Sequence, residues 1–492
     1  MKKITNGSDE IMKDSIIHSD LSYLEVLENY SFESKMLLCQ KYACRIMDTS
    51  EVSMELALKE NIMPWELETF VLFSVVYDNE SVTEVLPGDV FAEVITTIRN
   101  YWHPELTIAE QNGTYADTFI MINAIQQFPT QGLILQKLFR YAYIFNFENE
   151  RINFKQKFIE TYLTEYKSFD LAAFIVYLSA CKGNGIDGYA KAQLMQIGLS
   201  DKNVMKVLQI DKEDYIKRLK ETYKDSIIDY YYGLKVQYLW PIIGDKEYNY
   251  VPLPYLMINA VTESLLQRLT MGNKSLRNAF GKEVLEQYLY DICSEVSTVT
   301  WISPEIAYKI GKDDKRTSDV LVAEEDYCVF YDSKALSPNL KIRKFDRNEI
   351  DKNIRLYSDA VMEIYVQVKN YEKGYYSLDK DYDKNKIFGV VVVWDDSYVS
   401  RKSVYENIFS ENDLSEEEQI FIHSHIKIVS LRQIEHMVLQ NTSFLVSLKK
   451  QVGKPEEWDD RNFVIATTEN GIIPCYESYV DDLKARVRNI TC

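Results

Sequence analysis

The sequence predicts a multidomain protein. An all-α N-terminal half is followed by an α/β domain with a central mixed sheet flanked by helices. Three observations carry this. Apolar residues recur at helical spacing from Leu21 to about Asp229. The composition then shifts across Tyr230–Tyr255, where Pro241, Pro252 and Pro254 cluster. Beyond that zone, strand-like runs at 320–322, 328–331, 387–394 and 426–431 alternate with helical patterns. The expected parts are a flexible arm at 1–20, a helical domain at 21–250, an α/β domain at 251–450 and a C-terminal extension at 451–492. A chain of 492 residues is long enough for more than one domain.

The bulk properties narrow the function classes. The formal net charge of -19 argues against general coating of nucleic acid or of an anionic membrane, although a local basic groove is compatible with it. The seven cysteines are odd in number, scattered and free of any Cys-x-x-Cys pair, which disfavours a disulfide framework and a zinc ribbon. No apolar run reaches membrane-spanning length, and residues 1–20 lack a signal-peptide core. A cytoplasmic protein without membrane contact is expected.

In the first half, Leu24, Leu27 and Tyr30, then Met36, Leu37, Tyr42, Ile46 and Met47, mark the first helices. Val90, Phe91, Val94, Ile95 and Ile98 continue the pattern. Gly113–Phe128 and Leu133–Phe147 read as further amphipathic segments, and Leu194–Tyr223 as two or three short helices. The 36 tyrosines and 21 phenylalanines are numerous enough to suggest base-stacking platforms, but aromatics on helix stripes belong to cores. Gly183, Gly185 and Gly188 form no phosphate cradle, because the Gly-Lys-Ser/Thr ending is missing. This half is the expected place for a sensor, a protein partner or homo-oligomer contacts.

Residues 236–243 and 248–251 read as a small hairpin at the boundary. Next come helices at 256–268 and 276–295, the second with Val284, Leu285, Tyr288, Leu289 and Ile292 on its apolar side. Glu286 lies nearer the edge of that stripe than Glu283. Residues 296–302 read as a strand. A long helix spans about 348–372, and Ile387–Trp394 is an apolar run suited to a strand buried on both faces. Helices at 404–409, 416–424 and 432–448 flank a strand at 426–431. The tail from 452 reads as irregular, with one helix near 478–488.

The most informative stretch is Ser318–Lys334. Two apolar runs are separated by Glu324, Glu325 and Asp326, which is how a β-hairpin looks in sequence. A two-residue turn at Glu325 and Asp326 makes Glu324 face Tyr327, and Asp319 then faces Asp332. Two carboxylates opposed at about 5 Å between Cα atoms repel and need a cation. Lys334, two residues past Asp332, points to the same face.

This order of elements resembles the core of the PD-(D/E)xK nuclease superfamily, a restriction-endonuclease-like or RecB-like core, over about residues 276–431. The matching residues are Asp319, the triplet Asp332-Ser333-Lys334, and Glu286 on the preceding helix. Gln367 and Tyr371 look like the Gln-x-x-x-Tyr motif of the following helix. Ser318 replaces the name-giving proline. Gly281 precedes Glu286 by five residues where related sequences often have four, so Glu283 stays open as the helix acid.

The resemblance implies a Mg²⁺-dependent endonuclease acting on DNA, with Mn²⁺ as a substitute. Glu286, Asp319, Asp332 and the Ser333 carbonyl would hold the metal. Lys334 would orient the attacking water, and Gln367 would assist. Lys341, Arg343, Lys344, Arg347, Lys352 and Arg355 are the candidates to hold the nucleic-acid backbone. A nuclease domain behind a helical domain is similar in layout to bacterial restriction and antiviral defence effectors. Two other classes stand beside it: a non-catalytic interaction protein on a degenerate nuclease-like scaffold, and a metal-dependent hydrolase of small phosphate compounds.

Overall fold

A computed structural model describes residues 22–101, 132–182, 201–223, 227–335, 342, 346–394, 400–456 and 471–491. The expected arm at 1–20, the segment 113–128 and the glycines at 183–188 lie outside them. The chain divides into two compact units, 1–134 with 158–269, and 135–157 with 270–492. The boundary near residue 250 therefore moves to 269/270. In addition, a segment read as part of the helical domain belongs to the second unit. Helical periodicity shows that a segment has a buried face, not which core receives it.

The first unit is helix-rich. Phe32–Arg45 begins where the Ser31 hydroxyl accepts the Ser34 N–H, and Pro64–Val76 is buried on nearly all sides. Tyr166, Tyr177, Tyr215 and Tyr223 are fully buried, so these aromatics build core. Helices alone do not account for this half, however. Strands β1 (Gln209–Asp211), β2 (Ile242–Asp245) and β3 (Tyr248–Tyr250) form a small sheet, with β1 parallel to β2 and β2 antiparallel to β3. The expected hairpin thus exists, but Val236–Tyr238 is a 3-10 turn, and β1 interrupts a stretch that reads as helical. Three residues are too few for a period of two to show.

The second unit is built on one five-stranded mixed sheet. Its strands are β4 (Trp301–Pro304), β7 (Val320–Glu324), β8 (Tyr327–Lys334), β9 (Ile387–Val393) and β10 (Ile426–Ser430), in the order β10-β9-β8-β7-β4. β8, β9 and β10 run parallel, whereas β7 and β4 are antiparallel additions. Every residue of β9 is buried, as its unbroken apolar run requires. A separate ribbon, β5 (Ala307–Ile310) and β6 (Asp313–Arg316), stands between β4 and β7.

Four helices of this unit position its charged groups: α1 (Ile134–Asn146), α2 (Glu286–Ser294), α3 (Arg347–Glu372) and α4 (Leu431–Val438). Asp346 caps α3 by accepting the backbone N–H groups of Asn348 and Glu349. Tyr357, Val361, Ile364, Tyr365 and Val368 then bury one face of α3 in a core shared with β9 and β10. Some boundaries differ from the sequence reading. Residues 296–300 lie outside any strand, and β4 starts at Trp301. The expected helix at 432–448 is two, α4 and Leu445–Gln451, separated where Asn441 takes a left-handed conformation. The last helix is longer than expected, Pro474–Thr491.

Candidate functional site

The hairpin folds in the expected register. Glu324 pairs with Tyr327, and Val320 with Tyr331, so Asp319 stands next in line opposite Asp332. Glu325, at φ 53°, and Asp326 form the turn. Their carboxylates meet Lys449 at 2.6 Å and Lys386 at 2.8 Å, which relieves a turn of consecutive acids.

At the other end of the hairpin the expected residues gather. One Asp319 oxygen accepts the Ser333 backbone N–H and the Ser333 hydroxyl, both at 2.7 Å. Ser333, expected to lend its carbonyl to a metal, is here a double donor. Lys334 Nζ lies 2.7 Å from Asp332 Oδ2 and 2.8 Å from Glu363 Oε2. Asp332 is 7 % exposed, whereas the Glu363 side chain faces solvent.

Glu286 enters from the helix before the sheet. The chain is wound as a π-helix over Phe280–Leu285 and returns to α-helix at Glu286. The wider turn offsets the side chains that follow from the positions a straight α-helix would give them. The helix passes close to the end of β8: a Cβ on Gly281 would meet the Ala335 methyl at 3.1 Å, a tight contact that would require a shift of a few tenths of an ångström. The rival acid is committed elsewhere, since Glu283 pairs with Arg151 at 2.9 Å and accepts from Asn149. Of the two acids, Glu286 is the one within electrostatic reach of Asp319.

The electrostatics follow from this crowding. Burial, then repulsion from Asp319 and Glu305, pushes the Glu286 carboxyl up to about 8. Burial and then Asp319 push Asp332 up to about 6 against the pull of Lys334. Asp319 is raised by burial, partly offset by Ser333 and Lys334. Burial lowers Lys334, but Asp332 and Glu363 more than compensate and its ammonium is held. Three acids and one firmly charged amine thus share one end of the sheet.

Gln367 sits one layer out. Its side-chain oxygen accepts the Ser318 hydroxyl at 2.5 Å, beside Asp319, and its backbone carbonyl accepts Tyr376. Tyr371 has a structural task, accepting the Tyr382 N–H at 2.7 Å. Of the basic candidates, Arg347, Lys352 and Arg355 are exposed on the first turns of α3, with Lys352 paired to Glu349. Lys341, Arg343 and Lys344 lie outside the described residues.

Two acids escaped the sequence reading, Glu363 and Glu305. Glu363 had a signal, because it precedes Gln367 by four residues and so shares its helix face. Glu305 had none.

The donor set suits a hard divalent cation in kind: carboxylate oxygens, buried and mutually repelling, that a cation would relieve. In position, Asp319 is turned to Ser333 and Asp332 to Lys334. Among the described residues no group of three or more His, Cys, Asp or Glu side chains converges to hold a metal ion. Among the same residues no helix is long and apolar enough to cross a membrane. Comparisons with models of known protein families, with curated proteins and with solved structures find no match.

Proposed function

We propose that the chain is a metal-dependent nuclease that hydrolyses phosphodiester bonds, with DNA as its substrate, on a restriction-endonuclease-like core. One observation carries the reading. Two opposed aspartates and a lysine, Asp319, Asp332 and Lys334, share the end of a buried hairpin, and Glu286 of the preceding helix lies within electrostatic reach of Asp319. A surface ion pair needs no such burial, and the raised carboxyls make the cluster costly to fold.

Asp319, Asp332 and Glu286 would hold Mg²⁺, which when bound supplies charge neutralisation and a water of lowered pKa. The residues themselves do the rest. Lys334 presents a fixed positive charge to a phosphate oxygen in a partly desolvated site, where such a charge acts more strongly than in water. Ser333 holds Asp319 in one orientation, and Gln367 fixes Ser318 beside it. Glu363 offers Lys334 an exposed counter-charge that an incoming phosphate would replace. A cytoplasmic defence effector, with the helical half as sensor, partner surface or oligomer contact, is the setting that fits this reading.

A second reading has one observation in its favour. The three acids do not form a metal-holding group among the described residues, as in an interaction protein whose site survives only as an ion-pair network. One experiment separates the two. The full chain is incubated with linear, circular and single-stranded DNA and with RNA, with and without Mg²⁺ or Mn²⁺, while Mn²⁺ binding is followed by calorimetry. Metal-dependent cleavage, with Mn²⁺ binding lost in Asp319→Ala and Asp332→Ala, is expected. No cleavage and no Mn²⁺ binding would establish the interaction protein, and Mn²⁺ binding without polynucleotide cleavage a hydrolase of small phosphate compounds.

A further inference from the structure

The β5–β6 ribbon is not part of the five-stranded sheet and joins its core only through Tyr308, with Ile306 and Ile310 packed beside it. It leaves the sheet after β4 and ends at Arg316, three residues before Asp319, and the sheet resumes at Val320. Its foot is fixed. The Thr317 hydroxyl accepts the Ile306 N–H at 2.8 Å, and the Thr317 N–H donates to the Ile306 carbonyl at 3.1 Å. Tyr308 packs on Tyr376, with ring centroids 4.8 Å apart, and its hydroxyl accepts from Asn370 of α3.

Beyond this foot the ribbon buries almost nothing. From Lys309 to Arg316 every residue except Ile310 is exposed. The strands pair Ile310 with Asp313, leaving a two-residue turn in which Gly311 takes φ 62°. Glycine at the first turn position is the choice of a tight hairpin whose strands run on straight.

The charges are uneven. The stretch carries Lys309, Lys312, Lys315 and Arg316 against Asp313 and Asp314, an excess of two positive charges in a chain of net charge -19. Lys309 meets Asp314 at 3.4 Å, and Arg316 meets Glu305 at the foot. Among the described residues, Lys312 at the turn and Lys315 on β6 have no carboxylate partner. Four extended residues reach about 14 Å, and a two-stranded ribbon fits the major groove of a duplex, about 12 Å wide.

We propose that this ribbon is a substrate arm, with Lys309, Lys312 and Lys315 gripping the phosphate backbone of duplex nucleic acid beside the hairpin site. The assignment rests on the nuclease reading and adds to it the part of the chain that holds the substrate. Backbone pairing, the Gly311 turn and the Thr317–Ile306 bonds keep these exposed residues in strand conformation, so the foot holds the cationic tip out. Only Thr317 and Ser318 separate the arm from Asp319, and Glu305 at its foot lies within electrostatic reach of Asp319 and Glu286, so the arm rises beside the acids.

The test is binding by the full chain, in EDTA and again with Ca²⁺. The probe is a fluorescein-labelled DNA duplex, compared with the matching single strand and an RNA duplex over a range of salt. For Lys309→Ala/Lys312→Ala/Lys315→Ala, duplex affinity should fall about ten-fold or more, and the slope of log K against log salt should become shallower by about 0.9 per lost phosphate contact. Lys312→Ala alone, at a turn that supports no packing, should remove about one such step. Thermal unfolding of both variants identifies any loss due to misfolding. If the parent binds and both variants match it in affinity and slope, the arm is only a solvated turn, while Mg²⁺-dependent cleavage by the parent keeps the nuclease reading intact. If the loss appears with the single strand and not with either duplex, the duplex assignment is overturned. If the parent neither binds nor cuts any probe, both proposals fall.

Discussion

The second unit holds two clusters that mix acids with a base, and they are built on opposite terms. In the first, Arg140 of α1 makes a bidentate pair with Glu435 of α4, one contact at 2.7 Å and a second from its other nitrogen. Tyr288 donates to the same carboxylate at 2.6 Å, and the guanidinium lies 5.0 Å from the centre of the Trp394 ring. All four residues are at least nine-tenths buried. Burial lowers the Arg140 pKa, but Glu435 more than restores it, so the charge stays. In the second cluster, Lys334 is divided between a buried and an exposed acid, and the carboxyls around it are raised rather than quieted. The closed cluster satisfies its charges internally. The open one has more acid than base, which favours an external cation. Burial of charge alone therefore does not mark a site; imbalance does.

The largest effect tests the closed cluster. Glu435→Ala leaves a buried guanidinium without its partner and should cost about 3–5 kcal/mol, read as a lower urea midpoint for the second unit. A loss under about 1 kcal/mol would mean that Arg140 finds other compensation and that the two clusters do not differ in how they balance charge. Next is Lys334→Ala. It should reduce metal-dependent cleavage by about 10²–10³-fold, the scale of removing one group that stabilises transition-state charge. Its urea midpoint should fall at neutral pH, because the buried Asp332 carboxyl loses its cation, so circular dichroism at the assay temperature checks that the variant is folded. Cleavage at the parental rate would remove Lys334 from the mechanism.

Glu286→Gln gives a smaller effect, seen as a slope. The folded-state pKa of Glu286 is raised above its ordinary 4.5 to about 8, so the folded protein binds the proton more tightly than the unfolded chain. Stability from this group is therefore greatest at low pH and falls as pH rises from about 4.5 to about 8. In EDTA, the parent should lose stability relative to Glu286→Gln across that window, and Mn²⁺ should reverse the loss. Parallel pH profiles would show that the carboxyl is not crowded. The smallest effect is Glu363→Ala. An exposed pair is worth about 0–1 kcal/mol, so melting should barely move. A clear drop in melting temperature would move this acid into the structural class of Glu435.

The hairpin was legible because its signal is local. Two continuous apolar runs around an acidic turn, with the strand period of two, fix which residues oppose each other and share a face, and Asp319 and Asp332 follow by counting. Lys334 follows from the same period. Glu363 was not chosen because a glutamate on an exposed helix face resembles any solvated position until its partner is known. The π-turn before Glu286 was invisible because its apolar residues also suit an α-helix, and only the backbone winding over Phe280–Leu285 shows the difference. The β5–β6 ribbon was missed because Asp313–Arg316 has no apolar residue from which to read a strand. The destination of α1 was missed because an amphipathic stripe states only that a partner exists.

Residues 135–157 pack on the second unit although their neighbours in the chain, on both sides, belong to the first. Tyr143 reaches Asp291 at 2.6 Å, and Phe154 contacts Phe280. A gene fragment that starts at residue 270 would thus encode a unit lacking one of its own helices, with Glu435 deprived of Arg140. During synthesis this helix emerges long before the sheet it completes, and it must wait for more than a hundred residues to be translated. No single break in the chain separates the two units.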